Sequence, residues 1–310
     1  MTPTTENKTM NIGMIGLGQM GWNMAKNLSA AGYSVLGFDP RPDSRERMAQ
    51  IEVKAAASPA ELAAAADAAV LMVLNTDQAE TAVWGENGFA AGADKNTTLI
   101  IMSSLSPVYV RELAARAAGK FQVLDAPVSG GVEGARAASL TIMASGPLAL
   151  QQTLLPVLQA MGKNVINVGP DVGLGATMKT INQAMLFAAL ASASEMVVAG
   201  VKAGLDPDTI IKVIGISSGS SWALVHRVPL AWQTDYASGA TLAIAAKDMR
   251  SAMALANDLG TSATIAGEVL RLVDIGMARH QGQGDDPLMV EIIEQLSHFY
   301  IKAHREQTRS

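Results

Sequence analysis

The chain has 310 residues, of which 49% are hydrophobic and 4% aromatic, and its formal net charge is −5 with a pI near 5.4. This acidic balance, without a basic stripe, argues against a nucleic-acid-binding protein. The absence of cysteine excludes disulfides, thiolate zinc sites and cysteine nucleophiles, and the four histidines form no metal-like pair, so metal catalysis and a Ser-His-Asp mechanism have little support.

The beginning of the chain, MTPTTENKTM, lacks the basic and apolar regions of a signal peptide. We therefore expect residues 1–10 to be a disordered lead. No apolar run in the sequence reaches the roughly 18 uninterrupted residues that a transmembrane helix needs. The length is sufficient for two domains, and the sequence predicts a cytoplasmic protein.

A glycine-rich turn follows the first apolar strand, and its residues are Gly16, Leu17, Gly18, Gln19, Met20 and Gly21. A helix is predicted to continue to Gly32, and a second strand, Tyr33 to Phe38, ends at Asp39. Asp39 lies 39 − 16 = 23 residues after the first glycine, close to the roughly 20 typical of a dinucleotide-binding turn. In such a turn the backbone approaches a pyrophosphate, which faces the N–H groups of the helix N-terminus. The sequence therefore predicts a Rossmann domain, at residues 11–169.

Two charged residues after the second strand affect the choice of cofactor. Asp39 can accept hydrogen bonds from ribose hydroxyls, and its charge disfavours a 2′-phosphate. Arg41 can stack on adenine or bind a 2′-phosphate. Because Asp39 is present, the sequence favours NAD, with NADP as the alternative.

The alternation of strands and helices continues through the first half of the chain. Ser58 begins a helix as a capping box, Ala69 to Leu74 forms a buried strand followed by a loop from Asn75, and another strand ends at Ser103. Ligands of an open α/β sheet lie beyond the carboxyl ends of its strands, so Asn75 and Ser103 are expected to flank the cofactor. Ordinary turn and cap chemistry explains either residue equally well.

The second half, residues 170–310, is predicted to be helical. A long apolar helix, residues 175–200, links the two domains and contains Lys179, with Asn182 and Gln183 at the i+3 and i+4 positions on the same side. Lysine in such a helix either extends its amine to the surface or has a function. Further helices are predicted at 241–259 and 261–280, and caps are predicted at Asp206 and Asp286.

The segment DAPVSGGVEGARAASLTIMASG, residues 125–146, resembles the substrate-binding segment of the β-hydroxyacid dehydrogenases. The glycine-rich turn, GLGATMKTINQ and AAKDMRSAMALANDLG resemble the same family in the same order. The resemblance implies an NAD(P)-dependent oxidoreductase in which Lys179 is the acid/base catalyst. In this role the pKa of a lysine must fall from about 10.4 toward 7–8, and an apolar helix provides the desolvation.

The resemblance also implies how the substrate is bound. Ser129, Gly130 and Gly131 can present a hydroxyl and backbone N–H groups to a carboxylate. A flexible turn is the alternative, but Pro127 and the position at the end of a strand favour a built anion site. Asn182 and Gln183 are expected to contact the substrate, and Lys247 is expected to approach both substrate and cofactor, with Asp248 holding it in place. Without the resemblance, the Lys247–Asp248 pair is typical of a solvated helix face.

Several positions differ from the common family pattern, and these differences narrow the range of expected substrates. Gln183 replaces a frequent asparagine, and Ala138 replaces a common glycine with an expected local effect only. The segment SSGSSWALVHR, residues 217–227, is similar to that of the L-threonate branch, and Trp222 in it is expected either to line the pocket or to belong to the core. These features favour a four-carbon sugar acid such as L-threonate, oxidised at C2.

Two other functions stay open. One is a 3-hydroxyisobutyrate dehydrogenase or a semialdehyde reductase of the tartronate or sulfolactaldehyde type, and the other is a non-catalytic dinucleotide-binding sensor or scaffold. The small residues of the helical half suggest a homodimer or homotetramer.

Overall fold

The computed structural model of the protein describes residues 10–309, which form two compact units, one up to Lys179 and one from Thr180 onward. The expected lead at residues 1–10 lies outside the described residues except for Met10, which packs partly buried against the core of the first unit.

The first unit is an α/β structure built on one sheet. In the described part of the chain its strands are β1 (Asn11–Ile15), β2 (Ser34–Phe38), β3 (Lys54–Ala55), β4 (Ala68–Leu71), β5 (Thr98–Ile101), β6 (Gln122–Asp125), β7 (Val128–Ser129), β8 (Thr141–Ser145) and β9 (Asn164–Gly169). The strand order is β3-β2-β1-β4-β5-β6-β8-β7, and β9 pairs with β8. The order reverses at β1, which is where a doubly wound sheet opens a crevice for a ligand.

The helices of this unit connect the strands. They are α1 (Gln19–Ala30), α2 (Ser44–Ala49), α3 (Pro59–Ala65), α4 (Thr76–Trp84), α5 (Phe89–Gly92), α6 (Pro107–Ala117), α7 (Gly131–Arg136) and α8 (Leu148–Gln159), followed by α9 (Leu174–Lys202), which begins in the first unit and ends in the second.

The strand register places the candidate residues at one edge of the sheet. Strands β1, β2, β4, β5 and β6 are parallel, and Ile15 pairs with both Phe38 and Leu71, while Ile101 pairs with Asp125. The carboxyl ends of these strands are therefore level with one another. The glycine-rich turn, Asp39 and the loops after β4 and β5 all begin at this edge.

Two apolar clusters cover the two faces of the sheet. Met14 and Ile100 belong to one cluster, whereas their neighbours Ile15 and Ile101 belong to the other, and all four side chains are at most 1% exposed. Successive residues of a strand point to opposite faces, so both faces are buried. This burial explains why the strands are continuous apolar runs in the sequence.

The structure confirms the predicted β1–α1–β2 unit and changes the elements that follow. Ser58 caps α3 by accepting a hydrogen bond from the N–H of Glu61, as a capping box predicts. The predicted strand from Ala69 to Leu74 ends at Leu71, and the segment expected to be a loop after Asn75 is helix α4. Asn75 begins this helix because its side chain accepts a hydrogen bond from the N–H of Gln78 at 2.9 Å.

The second unit is helical. After α9 its helices are α10 (Pro207–Gly215), α11 (Trp222–His226), α12 (Leu230–Gln233), α13 (Leu242–Asp258), α14 (Thr264–Arg279), α15 (Leu288–Leu296) and α16 (Ile301–Arg309). Asp206 caps α10, as predicted, and α14 begins three residues later than the predicted Thr261.

The predicted cap at Asp286 is wrong. Pro287 precedes the first residue of α15, and the buried Asp286 carboxylate accepts a hydrogen bond from Ser238 Oγ at 2.6 Å and pairs with Arg227 Nε at 3.3 Å. Helix α15 ends at Leu296, before His298 adopts a φ of 47°.

Helix α9 has 29 residues and is apolar enough to cross a membrane by length and composition alone. Its side chains at Phe187, Leu190 and Val201 are at most 2% exposed and belong to the apolar core of the second unit. An apolar helix of this kind is typical of a protein core.

Candidate functional site

The glycine-rich turn has the geometry of a phosphate-binding loop. Gly16 has a φ of 92°, a conformation that favours glycine, and an added Cβ would overlap the carbonyl oxygen of Met72. An added Cβ on Gly21 would overlap the carbonyl oxygen of Gly16. Gly18 is different, because, apart from its own neighbours in the chain, no atom of the described residues lies within 4 Å of its added Cβ. Glycine at position 18 therefore leaves open space beside the backbone.

The N-terminus of α1 lies at this open space. Gly18 is the N-cap and offers no side chain, and no acidic residue is present in the first turn, where Gln19 and Met20 are the first two residues. The backbone N–H groups and the positive end of the helix dipole are suited to an anion. This arrangement fits the pyrophosphate of a dinucleotide.

Asp39 and Arg41 form a connected pair beside the turn. Asp39 Oδ2 accepts a hydrogen bond from the N–H of Leu17 at 2.8 Å, and Arg41 Nε lies 2.7 Å from Asp39 Oδ1. Arg41 Nη2 also donates to the carbonyl oxygen of Leu17 at 2.8 Å. Burial opposes ionisation, but the hydrogen bonds from Arg41 and Leu17 and the charge of Arg41 lower the pKa of Asp39. The carboxylate is therefore charged, and Arg41 is directed toward it.

A cavity of about 320 Å³ lies next to this pair, and its lining includes Asp39, Arg41, Ser44, Arg45 and Met48. It begins where β2 ends, which is the side of a dinucleotide-binding sheet that receives the adenosine. The open turn and this cavity fit a nicotinamide dinucleotide.

The side chains of Asn75 and Ser103 have partners within the protein. Asn75 caps α4, and the buried Ser103 hydroxyl accepts a hydrogen bond from the N–H of Val73 at 2.7 Å and donates to the carbonyl oxygen of Leu71 at 3.1 Å. Both residues lie at the carboxyl edge of the sheet, as predicted. Their contacts fix the loops after β4 and β5. A contact between either side chain and the cofactor stays a prediction.

The Ser129-Gly130-Gly131 segment is a preformed turn. Ser129 ends β7, and Gly130 and Gly131 follow with φ values of 132° and 62°, both in the region that favours glycine. Within residues 10–309, no atom beyond the neighbouring backbone lies within 4 Å of a Cβ added to Gly131. Downstream, Ala138 stands in the left-handed region with a φ of 51°, which costs an alanine about 1 kcal/mol relative to glycine.

Lys179 lies in the second turn of α9 and is 8% exposed. The first turn of the same helix is bound to Asp125, a fully buried residue at the end of β6, which accepts hydrogen bonds from the N–H groups of Gly173 and Ala176. The sequence interpretation assigned Asp125 no role. The separation of 48 and 51 residues between these partners leaves no local signal for the contact.

In the second unit, a chain of polar side chains joins α9 to α13. Asn182 Nδ2 donates to Gln183 Oε1 at 3.0 Å, Gln183 Nε2 donates to Asp248 Oδ2 at 2.7 Å, and Lys247 Nζ lies 3.0 Å from Asp248 Oδ1. Gln183 and Asp248 are 8% and 5% exposed. Because Asp248 is buried, the Lys247–Asp248 pair does not lie on a fully solvated helix face. Asp248 orients both Gln183 and Lys247.

Trp222 is 52% exposed, so it does not belong to the core. The Arg227 guanidinium lies 5.0 Å from the centre of its ring, and the His226 ring lies 5.0 Å away on the same short helix. Ser221 caps this helix, and the Ser220 hydroxyl donates to the carbonyl oxygen of Gly215. The two serines therefore shape the segment before Trp222.

Comparison with known proteins covers most of the chain. Residues 11–169 match the family model of the NAD binding domain of 6-phosphogluconate dehydrogenase, and residues 173–293 match that of the NAD-binding of NADP-dependent 3-hydroxyisobutyrate dehydrogenase. The L-threonate dehydrogenase of Cupriavidus necator is 32% identical over 283 residues, which are 91% of this chain and 95% of that protein.

Two solved structures are similar over nearly their whole length. The 3-hydroxyisobutyrate dehydrogenase of Salmonella typhimurium is 30% identical, with a TM-score of 0.83, over 91% of this chain and 99% of that one. The 3-hydroxyisobutyrate dehydrogenase of Mycobacterium tuberculosis, solved with L-serine, is also 30% identical, with a TM-score of 0.82, over 93% and 99%.

Proposed function

This chain belongs to the β-hydroxyacid dehydrogenase family, and from that premise we propose that it oxidises a four-carbon sugar acid of the L-threonate type at C2 with NAD⁺. Family membership makes the protein an oxidoreductase that acts on the CH–OH group of a small hydroxy acid with an NAD(P) cofactor. The substrate, the preference for NAD and the residue roles below are our proposal.

The observation that supports a catalytic function most directly is the buried Lys179 in a helix whose first turn is bound to a buried carboxylate of the sheet. A lysine that only extends its amine to the surface has no need of such a fixed helix start. The same unit of the chain contains the open glycine-rich turn and the preformed Ser129-Gly130-Gly131 turn.

In the proposed reaction each group has one task. A bound nicotinamide cofactor would supply the acceptor for the hydride that leaves C2 of the substrate. The amine of Lys179 takes the proton of the C2 hydroxyl, so the C–H and O–H bonds break as the C=O bond forms. The hydroxyl of Ser129 and the N–H groups of Gly130 and Gly131 bind the substrate carboxylate. In the reducing direction Lys179 returns the proton.

The cofactor preference rests on Asp39. Its carboxylate is ionised and lies at the end of β2, where the ribose of a dinucleotide is bound, so a 2′-phosphate there would meet a negative charge. Arg41 neutralises part of this charge, so NADP remains as the weaker alternative. We propose NAD as the cofactor.

The choice of a sugar acid rests on the polar chain of the second unit and on the similarity to the Cupriavidus necator enzyme. Amide and ammonium groups at Gln183 and Lys247 provide donors for additional hydroxyls. A second candidate is 3-hydroxyisobutyrate, because two 3-hydroxyisobutyrate dehydrogenases of known structure are 30% identical to this chain.

We also propose a cytoplasmic homodimer or homotetramer. The apolar side chains of Met185 and Met196 on α9 are 69% and 64% exposed in the single chain, and a second copy would remove them from water. Light scattering that gave the mass of a single chain would contradict this assembly.

The function is tested by measuring reduction of NAD⁺ and NADP⁺ with L-threonate, D-erythronate, 3-hydroxyisobutyrate, glycerate and serine. We expect turnover of a four-carbon acid with NAD⁺ and a loss of about 10²-fold or more in Lys179→Ala. Lys202→Ala is the matched control, since Lys202 lies exposed on the same helix. Activity restricted to 3-hydroxyisobutyrate would favour the second candidate, and full activity in Lys179→Ala would refute the role of the lysine.

A further inference from the structure

The start of α9 is attached to the sheet through one carboxylate. Asp125 Oδ2 accepts hydrogen bonds from the N–H groups of Gly173 at 3.0 Å and Ala176 at 2.8 Å, and from the Ser145 hydroxyl at 3.1 Å. Ser145 Oγ in turn accepts a hydrogen bond from the N–H of Gly175 at 2.8 Å. Three backbone N–H groups at the helix start, those of Gly173, Gly175 and Ala176, therefore bind two side chains of the sheet.

The sheet holds these two side chains in fixed positions. Asp125 ends β6, Ser145 ends β8, and the two residues pair directly across the strands. A Cβ added to Gly175 would lie 3.0 Å from Asp125 Oδ2 and 2.5 Å from the carbonyl oxygen of Met143, so glycine allows the close approach. The first turn of α9 thus takes its position from the sheet.

Capping of a helix does not require this arrangement. The first N–H groups of a helix lack partners within it, and a neighbouring Ser, Thr or Asp side chain satisfies them on the surface of most proteins. Asp125 is instead fully buried, and its Oδ1 atom has no hydrogen-bond partner among the described residues. Burial raises the pKa of Asp125 to about 6 in spite of the hydrogen bonds from Ala176, Ser145, Gly173 and Gly175.

The groups that set this pKa are neutral. They are the Ser145 hydroxyl and the backbone N–H groups of Gly173, Gly175 and Ala176. Arg111 of α6 also packs at this helix start, where its Cγ lies beside Gly173. A carboxylate kept ionised at neutral pH in such surroundings lowers stability. Stability alone therefore does not account for it.

Lys179 follows Ala176 by three residues, which is about one turn of helix or a rise of 4.5 Å. A rotation or shift of the first turn would therefore displace the lysine amine by about as much as the turn itself moves. We propose that Asp125 is a positioning residue, whose carboxylate fixes the first turn of α9 and thereby the place of the Lys179 amine. The proposal rests on the proposed function of Lys179 as the acid/base.

The test compares Asp125→Asn and Ser145→Ala with Glu294→Gln. Glu294 is the matched control because it is also a buried carboxylate, 2% exposed, that binds the first N–H group of a helix, that of Ile301 in α16, at 2.8 Å. In Asp125→Asn we expect kcat to fall by about 10-fold or more, because small misplacements of a catalytic group are costly, while the Kd for NAD⁺ stays unchanged. Ser145→Ala should shift kcat in the same direction by less, and Glu294→Gln should leave it unchanged.

A second measurement does not depend on turnover. The rate at which acetic anhydride labels Lys179, read by peptide mass spectrometry against Lys202 in the same sample, should rise by about threefold in Asp125→Asn as the first turn loosens. Glu294→Gln should leave that rate unchanged. Absence of turnover in the wild-type enzyme would refute the proposed function, while the labelling still decides whether Asp125 positions the lysine.

Either of two results would overturn the proposal. One is a labelling rate of Lys179 in Asp125→Asn equal to that of the wild type. The other is a parallel loss of kcat and of NAD⁺ affinity, which would indicate general damage to the first unit. Ser145→Ala keeps the carboxylate and removes only the hydroxyl between Asp125 and Gly175, so its Lys179 labelling rate and its kcat supply the same comparison if Asp125→Asn does not fold.

Discussion

The buried carboxyl of Asp125 should make the protein less stable as the pH rises through its pKa. Its pKa is raised from 3.8 in the unfolded chain to about 6 in the folded one. When folding raises the pKa of an acid, its favourable contribution to the free energy of unfolding is fully present below the unfolded pKa. This contribution is lost as the pH rises through the folded pKa. The loss is about 3 kcal/mol in total, at about 1.4 kcal/mol for each pKa unit.

Asp125→Asn removes this titration and keeps the shape of the side chain. The free energy of unfolding of the variant minus that of the wild type should therefore increase with pH, by about 2 kcal/mol between pH 4.5 and 7.5. Urea unfolding at several pH values measures the difference. Because only its change with pH is used, the hydrogen bonds altered by the amide cancel.

A variant whose stability difference changes with pH in the opposite direction provides the control. The pKa of Asp39 is lowered in the folded protein, so its ionised carboxylate stabilises at neutral pH and that contribution is lost as the pH falls. The corresponding difference for Asp39→Asn should therefore decrease as the pH rises toward about 4, the range in which the unfolded carboxyl titrates, and should be nearly constant between about pH 4.5 and 7.5. A difference for Asp125→Asn that is independent of pH would refute the reasoning from burial.

Three further predictions concern the cofactor site and the core. Gly18→Ala should abolish NAD⁺ binding in calorimetry while the protein keeps its stability, because the added methyl meets open space, whereas Gly21→Ala should also destabilise the fold; retained binding in Gly18→Ala would contradict this. Asp39→Ala should lower the ratio of kcat/KM for NAD⁺ to that for NADP⁺ by about 10-fold or more, and the further change Arg41→Ala should cancel any gain with NADP⁺. Phe89→Ala should cost about 3–5 kcal/mol in urea unfolding, since the ring is fully buried, and a cost below about 1 kcal/mol would be inconsistent with that packing.

The parts of the fold that the sequence predicts well have local determinants. The strand, glycine-rich turn and helix from Asn11 to Ala30 are contiguous, and the turn geometry requires glycine at Gly16, where the chain adopts a positive φ. The caps at Ser58 and Asp206 are equally local, because each side chain binds an N–H group three residues ahead. Such signals depend on short spacing alone.

The contacts that the sequence does not predict join distant residues. Asp286 has the sequence environment of a cap, but its carboxylate binds Ser238, 48 residues away. Asp125 stands in a recognisable motif, yet its role at the start of α9 depends on partners that only the folded sheet brings near. For Arg41, the sequence left two roles open, and its guanidinium donates to the carbonyl oxygen of Leu17, 24 residues earlier in the chain.

The hydrogen bond between Gln183 and Asp248 affects which substitutions evolution or redesign can make at these two positions. The 2.7 Å contact joins two buried side chains on different helices, and a shorter asparagine at position 183 would leave the Asp248 oxygen without its donor. Substitutions at the two positions are therefore expected to be tolerated as a pair and rejected singly. Relatives with a different residue at one position should differ at the other, and a library built to change the substrate should vary both codons together.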